Sequence, residues 1–431
     1  MNSNRKAETA RVEILCVGTE LLSGRADGDG PYIAKKLRAA GLVVGKASQV
    51  PDDDAEISRA LGEALSRSEA AVVCGGLGPT FDDVTREGAA RALKRGLQFR
   101  PELFREIERK LRRHGAAIPA SNRRQAYLIE GATPLPNTHG SAPGQRVIVG
   151  RGKGEKTVYL LPGPPREMSL IFDRQVLPDL KRRLARGRHV EGFSLHLSGV
   201  AESEAEELLQ PIVSQKSPGL DFTMLASDGE VEFHALIEGP NPSKNRALKS
   251  HLLRRTKALV GPHIFGAGED SLENAVGRRL LRRGFTLAVA ESCTAGMLAS
   301  RITRVPGSSR YFLGGYLVYS NDLKRRLLGV KSGTLRGRGA VSAECAAEMA
   351  RLARRRCRSS LGLSITGIAG PGGGTPGKPV GTVFFGLSGP HDSRTEVFER
   401  WFSGDRETVR RRACAFALHQ LLRALRQSAE V

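Results

Sequence analysis

The sequence predicts an α/β protein of more than one domain, on three observations. Residues 12 to about 95 alternate buried strands with amphipathic helices, and the stretch from Phe285 onward does so again. Between them, from about Glu191, the pattern changes to that of a small α+β unit. The length, 431 residues, is more than one ordinary core organises, so two or three domains are expected.

The first segment reads βαβαβ. Val12 to Val17 is a buried strand. Pro31 to Ala40 is a helix with Pro31 in its first turn and Ile33 and Leu37 on one face. Leu42 to Val50 is a strand, Asp54 to Ser66 a helix with Ile57, Leu61, Ala64 and Leu65 at helical spacing, and Ala70 to Cys74 a strand. That order implies parallel strands with right-handed crossovers. The third strand runs into Gly75-Gly76-Leu77-Gly78-Pro79-Thr80-Phe81-Asp82-Asp83-Val84-Thr85. Glycines there let backbone approach a ligand, and the following helix offers free N–H groups to an anion. The adjacent carboxylates of Asp82 and Asp83 suit a divalent metal bridging phosphate oxygens. A glycine turn with Asp82 or Asp83 as a helix cap is the plainer alternative. A helix from Pro101 to about His114 follows, then strands Arg146 to Val149 and Thr157 to Leu161 as a hairpin over Gly150–Gly154.

In the middle unit, Ser194 to Val200 reads as a strand, Ser203 to Ile212 as a helix, Phe222 to Leu225 and Val231 to Ile237 as strands around Asp228-Gly229, and Asn241 to Val260 as a basic helix. Gly261 to Asp270 reads as a linker. Ser271 caps a helix from Leu272 to Arg283 with Glu273 in its first turn.

The last segment holds two strand-to-helix junctions. The apolar run Phe285 to Ala290 ends in Glu291-Ser292-Cys293-Thr294 with a helix from 293. Tyr311 to Tyr319 ends in Ser320-Asn321, with Lys324 one turn into the next helix. In open α/β sheets ligands bind at such carboxyl ends of strands. A serine hydroxyl needs a base nearby, and a lysine serves if its surroundings keep it neutral. Ser–Lys pairs are a known variant of serine chemistry. The amides of Cys293, Thr294 or Ala295 are placed to receive an oxyanion. Spacing alone favours the plainer reading, Ser292 or Thr294 as a helix cap and Lys324 as a solvated helix residue. Cys293 is a second nucleophile in principle, though its surroundings suit a small buried apolar role. Further on come a helix 342–357, strands 361–365, 380–387 and 395–402, and a final helix from about 405 to 426. Thr366-Gly367 leads into the glycine-rich run Gly370-Pro371-Gly372-Gly373-Gly374-Thr375-Pro376-Gly377, a sign of tight turns at a ligand or of a surface loop.

Composition narrows the classes. No apolar run approaches the ~20 residues that cross a bilayer. The opening MNSNRKAETARVEIL has no apolar secretory core, so a cytoplasmic location is expected. The six cysteines form no C-x-x-C pair, which speaks for reduced thiols and no structural zinc. The formal charge of +22 raises nucleic acid as a partner, but the basic residues (Arg109 to Arg113, Lys181 to Arg183, Arg354 to Arg356, Arg410 to Arg412) are spread over helices, and nucleic acid is not expected.

Several strings together resemble the CinA family (competence/damage-inducible protein). G-T-E-L at Gly18 to Leu21, the glycine–aspartate string from Gly75, N-x-x-G-x-A-P-G ending at Gly144 and P-G-P-P-x-E-M ending at Met168 resemble its N-terminal half, which is similar in fold to molybdopterin-binding domains. A-E-S-C-T-x-G at 290–296, Y-F-L-G-G at 311–315, Y-S-N-x-x-K at 319–324, G-A-V-S at 339–342 and T-G-I-A-G-P-G-G-G-T-P-x-K-P-V-G-T-V at 366–383 resemble its C-terminal half. The resemblance implies a molybdopterin-binding-like domain over 11–187, a KH-like α+β domain over 190–262 and an α/β amidohydrolase domain over 270–428. No G-x-x-G occurs between 190 and 260, so the middle domain is expected to be a spacer or dimerisation module.

For function the resemblance implies deamidation of nicotinamide mononucleotide without a cofactor. Ser292 is then the nucleophile, Lys324 its base, and Tyr319 and Thr366 supporting groups. Arg406 binds phosphate, with Thr294, Gly367, Gly370 and Gly372 lining the substrate. For the N-terminal half it implies metal-dependent ADP-ribose pyrophosphatase chemistry at Gly75, Gly76, Gly78, Thr80, Asp82, Asp83 and Thr85, the metal on Asp83 and Asp82. Small nucleotides are the expected partners, with a homodimer and no membrane. Two departures stand out. Gly24 to Gly30 carries Asp27, Asp29 and glycines where the family has asparagines, and carboxylates repel a pyrophosphate unless a metal stands between. Ala295 stands where the family commonly has glycine, a small change expected to be tolerated.

Overall fold

The computed structural model describes residues 11–24, 26–113, 119–184, 189–215, 217–389 and 395–427. Arg25 and His114, the expected end of the helix from Pro101, lie outside the described residues. Two units result: one of residues 1–192 with Leu236–Ala247, the other of Phe193–Ala235 with Leu248–Val431.

Among the described residues, eight strands lie wholly in the first unit: β1 (Arg11–Val17), β2 (Val43–Val50), β3 (Ala70–Cys74), β4 (Leu97–Phe99), β5 (Tyr127–Ile129), β6 (Thr133–Leu135), β7 (Gly144–Val149) and β8 (Lys156–Leu161). Six of them form one sheet in the order β2-β1-β3-β8-β7-β6. β1, β2, β3 and β8 run parallel, β7 returns antiparallel against β8 as the expected hairpin, and β6 is antiparallel to β7. β3 is buried along its whole length, because helices cover both faces of the sheet. The helix Asp29–Ala39 starts two residues before the expected Pro31, since Asp27 Oδ1 accepts the amides of Asp29 (2.9 Å) and Gly30 (3.0 Å). Asp27 therefore holds the first amides of this helix from just ahead of its N-cap, Gly28.

The middle sheet has the order β10-β11-β9-β12, with β9 (His189–Ser198), β10 (Leu220–Ser227), β11 (Glu230–Gly239) and β12 (Ile264–Ala267). The helices Glu202–Val213 and Pro242–Val260 accompany it, giving an α+β unit. One expectation is corrected. Gly261 to Asp270 is not all linker, because Ile264–Ala267 pairs antiparallel with β9, with Ile264 opposite Leu197. Two apolar residues, Ile264 and Phe265, carry too short a pattern to announce a strand.

The C-terminal sheet has the order β14-β13-β15-β16-β17, with β13 (Leu287–Glu291), β14 (Phe312–Leu317), β15 (Leu361–Gly367), β16 (Thr382–Ser388) and β17 (Thr395–Trp401). β13, β14 and β15 are parallel, and β16 and β17 add antiparallel. β13 is buried on both faces. Leu287 and Val289 join a core with Leu298, Ile302, Phe385 and the final helix Arg406–Gln427. Ala288 and Ala290 face a second core with Val318, Leu328, Cys345 and Met349. Alternation along one strand feeds both layers. No described helix is long and apolar enough to cross a membrane.

Candidate active site

β13 is an interior strand, and its carboxyl end lies between two parallel neighbours. Glu291 is in register with Leu317 of β14 on one side and Ile365 of β15 on the other. The next residue, Ser292, donates its amide to Ile365 O at 3.0 Å and is itself buried. Val318 and Tyr319 continue from β14, and Thr366 and Gly367 end β15. Parallel pairing thus gathers in space what the sequence separates by up to 75 residues (367 less 292).

The helix after Ser292 begins at Met297, not at 293 as its pattern suggested. The Glu291 carboxylate is the cause. It accepts the amides of Gly296 (2.9 Å), Leu298 (3.1 Å) and Ala299 (2.8 Å), capping the helix from its own strand end. Residues 292–296 therefore form a turn, with Ala295 at φ 48° and Gly296 at φ 93°. Ala295 stands in the left-handed region that glycine occupies without strain, which explains why glycine suits this position.

Lys324 lies at the start of the π-turn Lys324–Leu328, one turn after the Ser320 cap, and is 1% exposed. Its Nζ lies 2.9 Å from Ser292 Oγ, 2.9 Å from Val318 O and 3.0 Å from Tyr319 O. Burial pulls its pKa below the usual lysine value, and the nearby Cys345 and Cys293 thiols oppose that only in part. Nζ thus has three partners, two carbonyls and the Ser292 hydroxyl. In the neutral amine two N–H groups serve the carbonyls and the lone pair is left for the Ser292 hydroxyl. Cys293 faces the core instead, and burial pushes its thiol up to about 12. A thiol so protonated is not a nucleophile at neutral pH.

The other expected residues divide. Arg406, the first residue of the final helix, donates to Gly370 O (2.7 Å) and to Tyr319 Oη (2.8 Å), so helix, glycine loop and Tyr319 meet at one guanidinium. Tyr319 is 58% exposed, yet its carbonyl holds Lys324. Thr366 Oγ1 donates to Ala340 O at 2.7 Å, tying β15 to the segment before the helix Ala343–Cys357. Thr294 is fully buried, its hydroxyl has no partner among the described residues, and its carbonyl accepts from Arg410 (2.9 Å). Gly367 packs its Cα against Thr382 O, where a Cβ would come within 2.8 Å. Gly372 lies exposed with open space around it. Lys378, not singled out from sequence, reaches back to Val341 O (2.6 Å) and Arg338 O (3.1 Å) and anchors the far end of the glycine loop. Glu291 was likewise missed. A carboxylate closing an apolar strand just before a helix is the signal that points to it.

In the first unit the glycine–aspartate string follows β3. Gly75 (φ 104°) lies so close to β1 that a Cβ would come within 2.1 Å of Val17 O, and at Gly76 (φ 63°) it would come within 2.2 Å of Thr85 Oγ1. A Cβ on Gly78 would meet Asp83 Oδ2 at 2.4 Å. That same oxygen accepts from Thr80 N (2.8 Å) and Thr80 Oγ1 (2.5 Å), while Asp82 is exposed. Thr85 is buried with its hydroxyl unpartnered among the described residues. Arg86, buried beside it, donates to Leu77 O (2.8 Å) and Gly78 O (3.0 Å). Among the described residues no group of three His, Cys, Asp or Glu comes together to hold a metal. The donors fit only a cation that arrives with phosphate, since Mg²⁺ commonly takes one or two carboxylates and completes its shell from the substrate.

Comparison with known proteins bears on both units. The family described as CinA C-terminal domain matches residues 269–425, and that described as probable molybdopterin binding domain matches 13–182. A CinA-like protein of Endomicrobium trichonymphae is 38% identical over 425 residues, covering 96% of this chain and 98% of that one. The chain belongs to the CinA family. A relative in Halothermothrix orenii, named as a competence-damage inducible protein, is 39% identical over 417 residues, 96% of this CinA chain and 99% of its own. Among solved structures, the competence damage-inducible protein A of Klebsiella pneumoniae is 35% identical, covers 35% of this chain and 92% of its own, and has a TM-score of 0.34.

Proposed function

We propose that the C-terminal domain of this CinA chain hydrolyses the carboxamide of nicotinamide mononucleotide to nicotinate mononucleotide and ammonia. The observation that carries it is the buried Lys324 Nζ, 2.9 Å from Ser292 Oγ and held from behind by two carbonyls. Ser292 Oγ attacks the carboxamide carbon while its proton passes to the neutral Lys324 amine. The oxyanion faces the amides of Cys293 and Thr294, which follow Ser292 in the turn. Collapse expels the amide nitrogen, which takes the proton from Lys324 and leaves as ammonia, giving an ester on Ser292. Water, deprotonated by the same lysine, attacks that ester and frees the carboxylic acid and the Ser292 hydroxyl. Arg406 exchanges its bonds to Gly370 O and Tyr319 Oη for the nucleotide phosphate, a fit for a guanidinium fork. The test is ammonia release from nicotinamide mononucleotide by the full chain, Ser292→Ala and Lys324→Ala. Undiminished release by Ser292→Ala sinks the mechanism, and none by the unaltered chain sinks the assignment.

A second reading concerns the N-terminal unit. The Thr85 hydroxyl beneath the glycine turn, unpartnered among the described residues and with Arg86 buried beside it, supports binding of a phosphate-bearing nucleotide such as ADP-ribose. Asp82 and Asp83 would hold a divalent cation that supplies charge neutralisation to the pyrophosphate. Metal-stimulated cleavage of ADP-ribose that disappears in Asp83→Ala and with EDTA is the expected result. Cleavage that survives EDTA rules the reading out.

A further inference from the structure

The nucleophile turn is held by a carboxylate that the reaction itself does not use. Glu291 is 0% exposed, yet the hydrogen bonds of its side chain all go to backbone amides, two on Oε2 and one on Oε1. Those amides belong to Gly296, Leu298 and Ala299, on the far side of the turn that begins with Ser292. The carboxylate thus closes the turn on itself. Ala295 and Gly296 are both left-handed inside that closure, and Ala295 N donates to Ser292 O at 3.1 Å. The strand end, the serine and the first helical turn are therefore fixed to one another through a single side chain.

We propose that Glu291 is a positioning residue for Ser292: it sets the turn so that Ser292 Oγ and the amides of Cys293 and Thr294 converge on one point. The inference rests on the amidohydrolase reading for its substrate but not for its geometry. Misplacing a reacting group by about 1 Å costs about 10²-fold in rate. Substrate affinity belongs to Arg406 and the glycine loop, so the loss falls on kcat and not on KM.

Glutamine is nearly isosteric, but its NH₂ must face at least one of the three amides, where donor meets donor. Glu291→Gln in the full chain is expected to lower kcat for nicotinamide mononucleotide by about 10- to 100-fold with KM within about twofold. Glu291→Asp keeps both oxygens on a shorter stem and is expected to recover part of the loss. In parallel, the rate at which phenylmethylsulfonyl fluoride sulfonylates Ser292, fluoride leaving as the Oγ–S bond forms, is read from intact mass. That rate reports the geometry whatever the natural substrate is, and it should fall with kcat. A labelling rate in Glu291→Gln equal to that of the unaltered chain overturns the proposal, as does a KM that rises while kcat holds. If Glu291→Gln does not fold, Glu291→Asp decides: kcat and labelling both at the unaltered level refute it. Labelling that slows as expected in a chain inert toward nicotinamide mononucleotide leaves the positioning role standing and removes only the substrate.

Discussion

Replacing Lys324 with methionine separates its charge from its volume. Lys324 is almost wholly buried, and burial lowers its pKa from 10.5. In the unfolded chain the amine keeps its proton up to that value. Between the lowered folded pKa and 10.5 the unfolded state therefore binds more protons, and stability must rise with pH across that window. Below the folded pKa the burial penalty is present in full, about 1.4 kcal/mol for each unit of depression. Lys324→Met abolishes the slope. It also strands the carbonyls of Val318 and Tyr319, at about 1–3 kcal/mol each, so the pH dependence and not the absolute stability is diagnostic. Trp401, the single tryptophan, lies in β17 of the same sheet and reports unfolding of that region by fluorescence. In urea titrations stepped in pH up to 10.5 the unaltered chain should gain stability relative to Lys324→Met, by at most about 1.4 kcal/mol per pH unit, over the part of the range above the lowered folded pKa. Its kcat/KM for deamidation should climb with pH up to the lowered folded pKa and level off above it, where the stability gain begins, and the variant should lose about 10²–10⁴-fold in kcat. Parallel stability curves for the two chains, or a kcat/KM that does not climb with pH, refute the neutral-lysine mechanism.

Three further outcomes are expected. Ala295→Gly relieves a left-handed alanine worth about 1–2 kcal/mol against about 0.5–1 kcal/mol of added chain entropy, so the Trp401 unfolding midpoint should stay or rise with activity intact; a clear drop would mean that Ala295 is not strained. Cys293→Ala should keep ammonia release within about threefold, and Cys293 should resist iodoacetamide at pH 8, as its raised thiol pKa demands; loss of release would move the nucleophile to sulfur. Arg406→Gln should raise KM about 10- to 100-fold, the worth of a charged hydrogen bond of about 1.5–3 kcal/mol, and leave kcat nearly unchanged.

Much of this was legible in the chain because it is local. Apolar runs ending in polar residues placed Ser292 and Lys324 at strand ends, and the glycine run after Thr366 marked a loop. Parallel pairing of β13 with β14 and β15 then brings those ends together. What escaped was set by contacts the pattern does not encode. The helix start moved from 293 to Met297 because a buried carboxylate outcompetes the local helical signal. β12 was invisible because its partner, β9, lies some 70 residues earlier, as the pairing of Ile264 with Leu197 shows. The bond from Thr366 to Ala340 and the hold of Lys378 on Val341 depend on where two loops end up, which no spacing rule reports.

Two buried basic side chains in this chain, Arg86 and Lys324, face the same kind of surroundings. Arg86 donates to the carbonyls of Leu77 and Gly78, and Lys324 to those of Val318 and Tyr319. Burial pulls both below their usual values, opposed only in part by the Glu87 and Asp83 carboxylates at Arg86 and by the Cys345 and Cys293 thiols at Lys324. The amino acid decides what that pressure can accomplish. A guanidinium cannot shed its proton in a protein, so Arg86 stays a permanent charge and serves as a fixed strut for its loop. An ammonium can yield under the same pressure, so Lys324 becomes a place where a proton is borrowed and returned. Arginine at position 324 would carry a permanent charge and end the exchange, so the usual conservative swap is not conservative at this site.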